Sequence, residues 1–389
     1  MGKRKNKNKQ VRAAFRKNRT NKTRKTDWTS EFDKHKFVDA APDQSERVSG
    51  KGELTRGLHV KAEVSDSDEP GFGITIAVDH EACKPGRVLA VRGLHSDVES
   101  QDEEDKGTIY RCATRRLLKT LATDQRHVVA AGDYVLFRLV DYSTQSGIYA
   151  GEGIIERVEP RKGSVTRTFR GRQHIIVTNA EQLLIITSAA QPRLKPNLID
   201  RMILTAEKVG IAPIVCINKS DLIDPAELQP LLGVYGRMGY EVLLTSADTG
   251  FGLDRLRELL RDKESVLAGQ SGVGKSSLLN AIAPDLELRT RTVSDDTGKG
   301  RHTTTTAVLL PLPFGGYVVD TPGIRQFELW DVIPEEVSGF FRDVRPYVSF
   351  CKFPDCTHTH EAECAVKGAV ADGKIDARRY ESYCQIRGE

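Results

Sequence analysis

One eight-residue stretch constrains the fold of this chain more than any other. It reads Gly269, Gln270, Ser271, Gly272, Val273, Gly274, Lys275, Ser276, with the spacing G-x-x-x-x-G-K-S. A short apolar run (residues 265–268) precedes it, and Ser277 opens a helical pattern directly after it. A strand, a glycine-rich loop and a helix in this order are typical of a phosphate-binding loop, because glycines let successive N–H groups point at phosphate oxygens. The stretch therefore predicts a nucleotide site.

Two side chains of this loop have expected roles of their own. Lys275 is expected to contact the β- and γ-phosphates, and the Ser276 hydroxyl is expected to ligate Mg²⁺. The N-terminus of the following helix adds partial positive charge at the same place. The alternative is a glycine-rich turn that happens to precede a helix, and the companion motifs below argue against it.

Length and composition set the frame for that site. A chain of 389 residues is long enough for two or three domains, and 39% hydrophobic with 29% charged residues is ordinary for a soluble protein. The sequence shows neither an apolar run of membrane-spanning length nor the apolar core of a signal peptide. We therefore expect a cytoplasmic protein, and a monomer.

The N-terminal residues 1–70 differ in texture from the rest. The first 25 residues are rich in Lys and Arg and contain no acid, although the net charge of the whole chain is only +4. Such a run repels itself and has few apolar residues, so we predict a basic disordered arm followed by a linker. A basic arm can bind polyanions such as RNA; the alternative is a solubilising tail without a dedicated partner.

Residues 71–167 show short alternating strands, which predict a small five-stranded barrel of the OB-fold type. The acidic cluster from Asp97 to Asp105 interrupts the pattern and is interpreted as a solvated loop insertion. The candidate strands are residues 74–78, 86–91, 108–112, 134–137 and 153–158. Basic residues that could line an RNA face are Arg111, Arg115, Arg116 and Lys119, although a surface role without RNA fits each of them nearly as well.

Residues 168–340 alternate apolar strands with helical stretches, which predicts a parallel α/β domain. The predicted strands are residues 183–187, 213–217, 241–245, 265–268, 307–310 and 317–319. The predicted helices are residues 198–209, 226–238 and 252–261.

An Asn-Lys-Ser-Asp motif follows the second of these strands, at the end of the sheet where ligands bind. An Asp carboxylate there can accept two hydrogen bonds from guanine, from N1–H and the exocyclic amine. Adenine offers no such donor pair, so the motif predicts GTP rather than ATP. The motif is Asn218, Lys219, Ser220 and Asp221, and the next strand end carries Thr245, Ser246 and Ala247, the usual place for a backbone N–H that supports the guanine carbonyl.

Two further segments after the phosphate loop match the switches of a GTPase. In the D-x-x-G of residues 320–323, Asp320 is expected to hold Mg²⁺ through a water, and the Gly323 N–H is expected to contact the γ-phosphate. A threonine-rich loop precedes it, and either Thr304 or Thr305 is expected to complete the Mg²⁺ shell. The alternative for this loop is a polar connection without a ligand.

The C-terminal residues 341–389 contain a candidate zinc site. Cys351, Cys356, His358 and Cys364 offer three thiolates and one imidazole, which can close a tetrahedron around one structural Zn²⁺. His360 is a competing ligand. Buried free cysteines are the alternative.

The order of the motifs is permuted, because residues 218–221 and 245–247 precede the phosphate loop instead of following it. Three features carry a resemblance to a known family: the permuted order, the Cys and His spacing, and the runs Gly-Arg-His-Thr-Thr-Thr (300–305) and Asp-Thr-Pro-Gly-Ile-Arg-Gln-Phe (320–327). With these features, the chain from about Phe72 onward resembles the RsgA (YjeQ) family. These are circularly permuted GTPases that assist maturation of the small ribosomal subunit. The resemblance implies a permuted P-loop GTPase domain between an N-terminal OB-fold and a C-terminal zinc domain, both contacting the subunit and its rRNA.

The residue after the D-x-x-G motif bears on the rate of hydrolysis. Many GTPases have there a Gln that orients the attacking water, whereas this chain has Ile324, which cannot hold a water. The sequence therefore predicts slow intrinsic hydrolysis that the ribosomal subunit accelerates, with His302 as the candidate to position the water. The rival functions are an RNA-binding protein in which the nucleotide is only structural, and an ATP-dependent enzyme, which Asp221 disfavours.

Overall fold

The structure is a computed structural model, and it describes residues 9–13, 58–64, 74–76, 82–115, 118, 128–141, 148–169, 172–286, 307–320 and 333–388. The chain divides into two compact units, Met1–Cys83 and Lys84–Glu389. Of the helices in the described ranges, none has both the length and the apolar character that a membrane crossing requires.

The first unit contains an antiparallel sheet of three strands, β1 (Lys9–Ala13), β2 (Leu58–Val64) and β3 (Ile74–Ile76). Residues 1–70, for which a disordered arm and a linker were predicted, include strands β1 and β2. Apolar residues alternate along β2, which is typical of a strand. The assignment of residues 74–76 to the barrel was wrong, because they form β3, which pairs with β2; residues 77 and 78 lie outside the described residues.

The second unit begins with a closed five-stranded barrel. Its strands are β4 (Lys84–Arg92), β5 (His95–Ser100), β6 (Ile109–Thr114), β7 (Tyr134–Asp141) and β8 (Glu152–Val158). They pair in the order β4-β5-β6-β8-β7, and β7 returns to β4. Only β6 and β8 run parallel. The barrel therefore has the strand order of an OB-fold, with Val88, Val98, Tyr110, Phe137 and Ile155 buried inside.

Strand β5 corrects the interpretation of residues 97–105 as a solvated insertion over residues 97–100, whereas residues 101–105 form a turn in which Glu103 and Glu104 are exposed. Asp97 and Glu99 lie in this strand and are only 5% and 8% exposed. Asp97 accepts hydrogen bonds from Arg92 Nε at 2.7 Å and from the Tyr149 hydroxyl at 2.9 Å. The two carboxylates are buried because the fold supplies partners for them: Arg92 across the β4–β5 turn and the distant Tyr149 for Asp97, and the distant Tyr317 for Glu99.

A hairpin, β9 (Ser164–Phe169) and β10 (Arg172–Thr178), follows the barrel. The turn before β7 approaches it so closely that a Cβ on Gly132 would lie 2.2 Å from the Thr178 carbonyl oxygen. Gly132 also has a φ of +89°, which favours glycine. The next residue, Asp133, is fully buried and accepts hydrogen bonds from Arg161 Nε and the Thr178 hydroxyl, both at 2.7 Å.

The α/β domain consists of the expected strands and helices. Its sheet has the order β13-β12-β11-β14-β16-β15, parallel except for β15. The strands are β11 (Gln182–Ser188), β12 (Ala212–Asn218), β13 (Glu241–Leu244), β14 (Glu264–Ala268), β15 (Val308–Pro311) and β16 (Tyr317–Asp320). The helices are α1 (Pro196–Val209), α2 (Gln229–Arg237), α3 (Leu253–Leu260) and α4 (Lys275–Ile282). Apolar residues are buried on both faces of the sheet.

Four further helices form the C-terminal domain. They are α5 (Val337–Phe340), α6 (Arg345–Val348), α7 (Ala365–Ala371) and α8 (Ala377–Gly388). Phe341, Val366 and Tyr383 form its core together with Leu204 of α1. The C-terminal domain therefore packs directly on a helix of the α/β domain.

The barrel is attached to the same α/β sheet at its edge strand. Val308 of β15 and Ala90 of β4 form a single antiparallel pair. Consequently the barrel and the α/β domain share one continuous sheet of 11 strands.

Candidate functional site

The phosphate-loop candidates, residues 269–276, connect β14 to α4 at the carboxyl end of the sheet. Two positions leave no room for a side chain: a Cβ on Gly269 would lie 2.1 Å from the backbone carbonyl oxygen of Ile186, and one on Gly274 would lie 2.5 Å from the side-chain Nδ2 of Asn218. Gly274 also has a φ of +92° directly before α4. The loop can therefore turn tightly into the helix, with its backbone N–H groups available to an anion.

Lys275 begins helix α4 and reaches back over the loop. Its ammonium group donates hydrogen bonds to the carbonyl oxygens of Gly269 and Gln270 at 2.8 and 2.7 Å. The positive charge is thus held beside the loop backbone, where it can act on a bound phosphate. Ser276 and Ser277 follow in the first turn of the helix.

Asn218 connects the expected base-reading motif to the phosphate loop. It ends β12, is 1% exposed, and donates from Nδ2 to the Val273 carbonyl oxygen at 2.9 Å. The Thr245 hydroxyl lies 3.3 Å from Asn218 Oδ1 and 3.3 Å from Cys216 Sγ. Burial raises the pKa of the Cys216 thiol to about 12, so this cysteine packs as a neutral group.

Lys219 makes a second connection between the loops. Its backbone has a φ of +60°, and its ammonium group donates to the Gly272 carbonyl oxygen at 2.8 Å and to that of Gln191. The segment that contains Gln191 follows β11 and was not among the predicted site residues. The position of this segment at a strand end, with Arg193 and Lys195 close by, is the signal that could have identified it.

The third strand end completes the side of the site that is expected to read the base. Ser220 donates from its backbone N–H and its hydroxyl to the Thr245 carbonyl oxygen, at 3.1 and 3.0 Å. Ser246 is buried and Ala247 half-buried beside this contact, whereas Asp221 is exposed. The structure therefore brings together the loops 218–221, 245–247 and 269–276, which lie far apart in the sequence.

The expected switch residues are described only in part. Asp320 ends β16, which runs parallel to β14 with Val319 beside Val266, so its backbone lies at the same sheet edge as the phosphate loop. His302, Thr304, Thr305 and Gly323 lie outside the described residues.

The C-terminal domain gathers the four expected zinc ligands. The donor atoms of Cys351, Cys356, His358 and Cys364 all lie within 4.8 Å of one another. Cys351 Sγ and Cys364 Sγ lie 3.3 and 3.5 Å from His358 Nδ1, and 3.9 Å from each other. Tetrahedral Zn²⁺ with bonds of about 2.3 Å to sulfur and about 2.0 Å to nitrogen sets such edges at about 3.5–3.8 Å. The donor set therefore fits one zinc ion.

Helix α8 holds the ligand loop in place. Its Tyr380 and Tyr383 hydroxyls donate to the carbonyl oxygens of His358 and Thr357, at 2.8 and 2.9 Å. Burial lowers the pKa of His358, which favours the neutral imidazole that a metal needs. His360, the competing ligand, is 78% exposed and lies near the Thr357 and Thr359 hydroxyls instead.

A buried charge network joins the C-terminal domain to the α/β domain. Arg379 of α8 forms an ion pair with Asp200 of α1 at 2.7 Å and donates twice to Asp343, at 3.0 Å each. The Tyr235 hydroxyl of α2 donates to Asp200 at 2.7 Å. Burial alone would lower the pKa of Arg379, but the charges of Asp200 and Asp343 outweigh it and raise the pKa. The guanidinium also lies 4.4 Å from the centroid of the Phe341 ring.

A second polar cluster lies where the barrel meets the sheet. Arg87 of β4 is 1% exposed, forms an ion pair with Glu264 of β14, and lies 3.8 Å from the centroid of the Tyr134 ring. The Tyr134 hydroxyl donates to Glu264 at 3.0 Å. Tyr317 of β16 forms a further hydrogen bond across this boundary, to Glu99 of the barrel.

Comparisons with known proteins agree with this geometry. Residues 158–330 match the RsgA GTPase family. The chain is 41% identical over 308 residues to the small ribosomal subunit biogenesis GTPase RsgA of Sodalis glossinidius, covering 77% of this chain and 84% of the relative. It is 42% identical over 307 residues to the RsgA of Shewanella oneidensis, with 77% and 82% covered.

Two solved structures share the fold. YjeQ from Thermotoga maritima has 35% identity and a TM-score of 0.65, covering 78% of this chain and 97% of that one. YloQ, described as a circularly permuted GTPase, has 30% identity and a TM-score of 0.61, covering 80% and 97%. The predicted fold class is confirmed: a circularly permuted α/β GTPase fold carries an OB-like barrel on its N-terminal side and a Cys3His cluster on its C-terminal side.

Proposed function

The chain belongs to the RsgA GTPase family, and from this premise we propose that it binds the small ribosomal subunit, assists its late maturation, and hydrolyses GTP to GDP and phosphate when the subunit stimulates it. The observation that carries the proposal is the junction of three loops at one sheet edge, with Asn218 bonded to the phosphate loop at 2.9 Å. A cytoplasmic monomer suits this activity.

Guanine specificity follows from the position of Asp221. Asn218 and Lys219 are both hydrogen-bonded to the phosphate loop, so the motif that carries Asp221 is fixed relative to that loop. The exposed Asp221 carboxylate is free to accept the two donors of guanine, and Ser246 and Ala247 lie at the neighbouring strand end to support the guanine carbonyl.

Phosphate binding is assigned to the loop backbone and to Lys275. Mg²⁺, which the family implies, would be held by Ser276, Asp320 and one of Thr304 and Thr305, and when bound it neutralises charge on the β- and γ-phosphates. His302 would position the attacking water by accepting a hydrogen bond from it, and the Gly323 N–H would contact the γ-phosphate. The intrinsic rate is expected to be slow, because Ile324 offers no polar group to the water.

Zinc is assigned a structural role. Cys351, Cys356, His358 and Cys364 would supply all four ligands, which leaves no open position for catalysis. The barrel and the C-terminal domain would contact rRNA. Because the D-x-x-G segment leads directly into the C-terminal domain, γ-phosphate contacts would set its orientation, so that GTP favours the subunit-bound state and GDP releases it.

The deciding experiment measures multiple-turnover phosphate release with and without purified small ribosomal subunits. We expect a clear stimulation by subunits, and turnover at the background rate in both cases would favour the RNA-binding protein in which nucleotide is only structural. Competition of labelled GTP by ATP tests the ATP-dependent alternative, and displacement by ATP would overturn the guanine assignment.

A point variant tests the base-reading residue. Asp221→Asn should weaken GTP binding by at least tenfold, equivalent to about 1.4 kcal/mol, because one acceptor of the guanine pair becomes a donor. Glu227→Gln removes an exposed carboxylate nearby and is the matched control. Unchanged GTP affinity and preference in Asp221→Asn would show that the pocket is misplaced.

A further inference from the structure

A cavity of about 620 Å³ lies between the segment after β11, helix α1, the phosphate loop and helix α8. Six polar residues line it, and the other lining residues described are apolar. The six are the cations Arg193, Lys195 and Arg201 and the amides Asn197, Gln270 and Gln385. The volume is within the range of ligand pockets.

This cavity is distinct from the nucleotide site. Of the candidate GTP-binding residues, only Gln270 lines it. Lys275 and Asn218 are hydrogen-bonded to the phosphate loop itself, at Gly269 and at Val273. The cavity therefore adjoins the phosphate loop and shares none of the side chains that would hold the base or Mg²⁺.

The charge of the cavity wall is one-sided. Among its described lining residues, three are cationic and none is acidic. Arg193 and Lys195 are exposed, and within the described ranges neither forms an ion pair with a carboxylate. Cations without carboxylate partners around a concave surface attract an anion, and an Arg with a Lys suits the oxygens of a phosphate group.

The lining residues also distinguish between the phosphate of a nucleic-acid backbone and that of a free nucleotide. Among the described lining residues there is no Phe, Tyr or Trp on which a base could stack. Bases are commonly held by stacking on aromatic rings, whereas backbone phosphates need only cations and amide donors. The wall therefore favours the backbone of a nucleic acid over a free nucleotide.

We propose that this cavity binds a backbone phosphate of RNA and forms a second phosphate site beside the nucleotide site. The inference rests on the proposed function, since it assigns to the α/β domain its own contact with the RNA of the small subunit.

The position of the cavity allows RNA bound there to influence the nucleotide site. Asn197 of α1 accepts a hydrogen bond from the Ser382 hydroxyl at 2.8 Å and donates to Gln385 of α8. A phosphate drawn to Arg193 and Lys195 would thus touch the α/β domain where it meets the C-terminal domain, next to Gln270 of the phosphate loop. RNA bound there can stabilise one arrangement of the two domains and the loop together.

The test uses the full chain with the substitutions Arg193→Gln and Lys195→Gln together. The matched control carries Arg237→Gln and Arg261→Gln, which remove two exposed cations at the opposite end of the strands, before β13 and β14. Affinity for purified small subunits is measured over a series of salt concentrations, together with GTP affinity and subunit-stimulated turnover.

We expect the cavity variant to bind subunits about tenfold more weakly and to lose about one to two from the slope of log affinity against log salt. Its GTP affinity and intrinsic turnover should match those of the wild type, and the control variant should bind subunits as the wild type does. Equal subunit binding by the wild type and the cavity variant would overturn the inference and leave the proposed function intact.

Two other outcomes also decide against it. A wild type that neither binds subunits nor responds to them overturns the proposed function and this inference together. If millimolar inorganic phosphate raises the melting temperature of the wild type but not of the cavity variant, while both bind subunits equally, the cavity takes free phosphate and the assignment to RNA is wrong.

Discussion

The barrel and the C-terminal domain are attached to the same α/β domain by different kinds of contact. The barrel continues the sheet of that domain through the pair of Val308 and Ala90, and the Arg87–Glu264 ion pair lies at the same boundary. The C-terminal domain is held by side chains, including the Arg379–Asp200 ion pair and the packing of its core on Leu204. A continuous sheet constrains both distance and direction, whereas a side-chain network can be exchanged for another arrangement without breaking a strand. We therefore expect the barrel to move with the sheet and the C-terminal domain to reorient.

The largest effect is expected when the proposed zinc ion is removed from the C-terminal domain. Cys356→Ser should abolish bound zinc and make residues 333–388 susceptible to protease, while the described strands and helices of the barrel and the α/β domain stay resistant. Structural zinc contributes on the order of 10 kcal/mol in isolated zinc fingers, so its loss exceeds any single contact. Zinc content and limited proteolysis measure the result, with Cys384→Ser as the control, since Cys384 lies outside the cluster. If the barrel became protease-sensitive at the same time, the two domains would not be attached to the α/β domain in different ways.

The next test breaks the charge network of the C-terminal junction. Arg379→Met leaves Asp200, which is 1% exposed, without its cation and should lower the free energy of unfolding by about 3–5 kcal/mol. Urea unfolding measures the loss. Arg378→Met is the control, because Arg378 is 35% exposed and pairs weakly at 3.6 Å. Adding Asp200→Asn to Arg379→Met should recover part of the loss, and strict additivity of the two changes would argue against a coupled network.

The corresponding change at the barrel junction should cost less. Arg87→Met leaves Glu264 without its cation, but burial already raises the pKa of Glu264, and removing Arg87 raises it further. A carboxyl group that can take up a proton limits the loss to about 2 kcal/mol at pH 7.

The same variant has a predicted pH dependence. Because the folded-state pKa of Glu264 exceeds its unfolded value, its protonation favours the folded state at low pH, and this contribution is lost as the pH rises through the folded pKa. The cost of Arg87→Met should therefore grow from pH 5 to pH 7 in urea unfolding, while Lys106→Met, an exposed control, shows no change. A cost independent of pH would contradict the protonation argument.

The smallest predicted effect lies within the barrel, away from both junctions. Partial burial would raise the pKa of Asp105, but the Ser100 and Tyr110 hydroxyls, both at 2.6 Å, and the Lys84 ammonium at 3.0 Å outweigh it and lower the pKa. The stability from this group is present above the unfolded pKa, near 3.8, and is lost as the pH falls through the lower folded value.

Asp105→Asn should accordingly cost about 1 kcal/mol at pH 7 and lose its effect under acid conditions. The exposed Glu103→Gln serves as control in the same thermal unfolding series. An equal effect at pH 7 and in acid would show that the charge of Asp105 does not contribute.

The sequence was sufficient for the parts of the fold that repeat a local pattern. The strands around the phosphate loop, and the glycines at 269 and 274, follow from spacing and periodicity alone. Strand β5 was missed because Asp97 and Glu99 look solvated until Arg92, Tyr149 and Tyr317 are brought to them by the fold. The contact of Lys219 with Gln191 could not be foreseen either, since it depends on how the segment after β11 turns.

The hydrogen bond from Asn218 to Val273 spans 55 residues of chain. During synthesis the N-terminal side of a protein emerges first, so the proposed base-reading segment leaves the exit tunnel before the proposed phosphate loop. GTP cannot assist the early folding of such a nascent chain, since a ligand stabilises only what it can bind. The core of the α/β domain is therefore expected to fold without help from GTP, and the nucleotide is expected to bind afterwards.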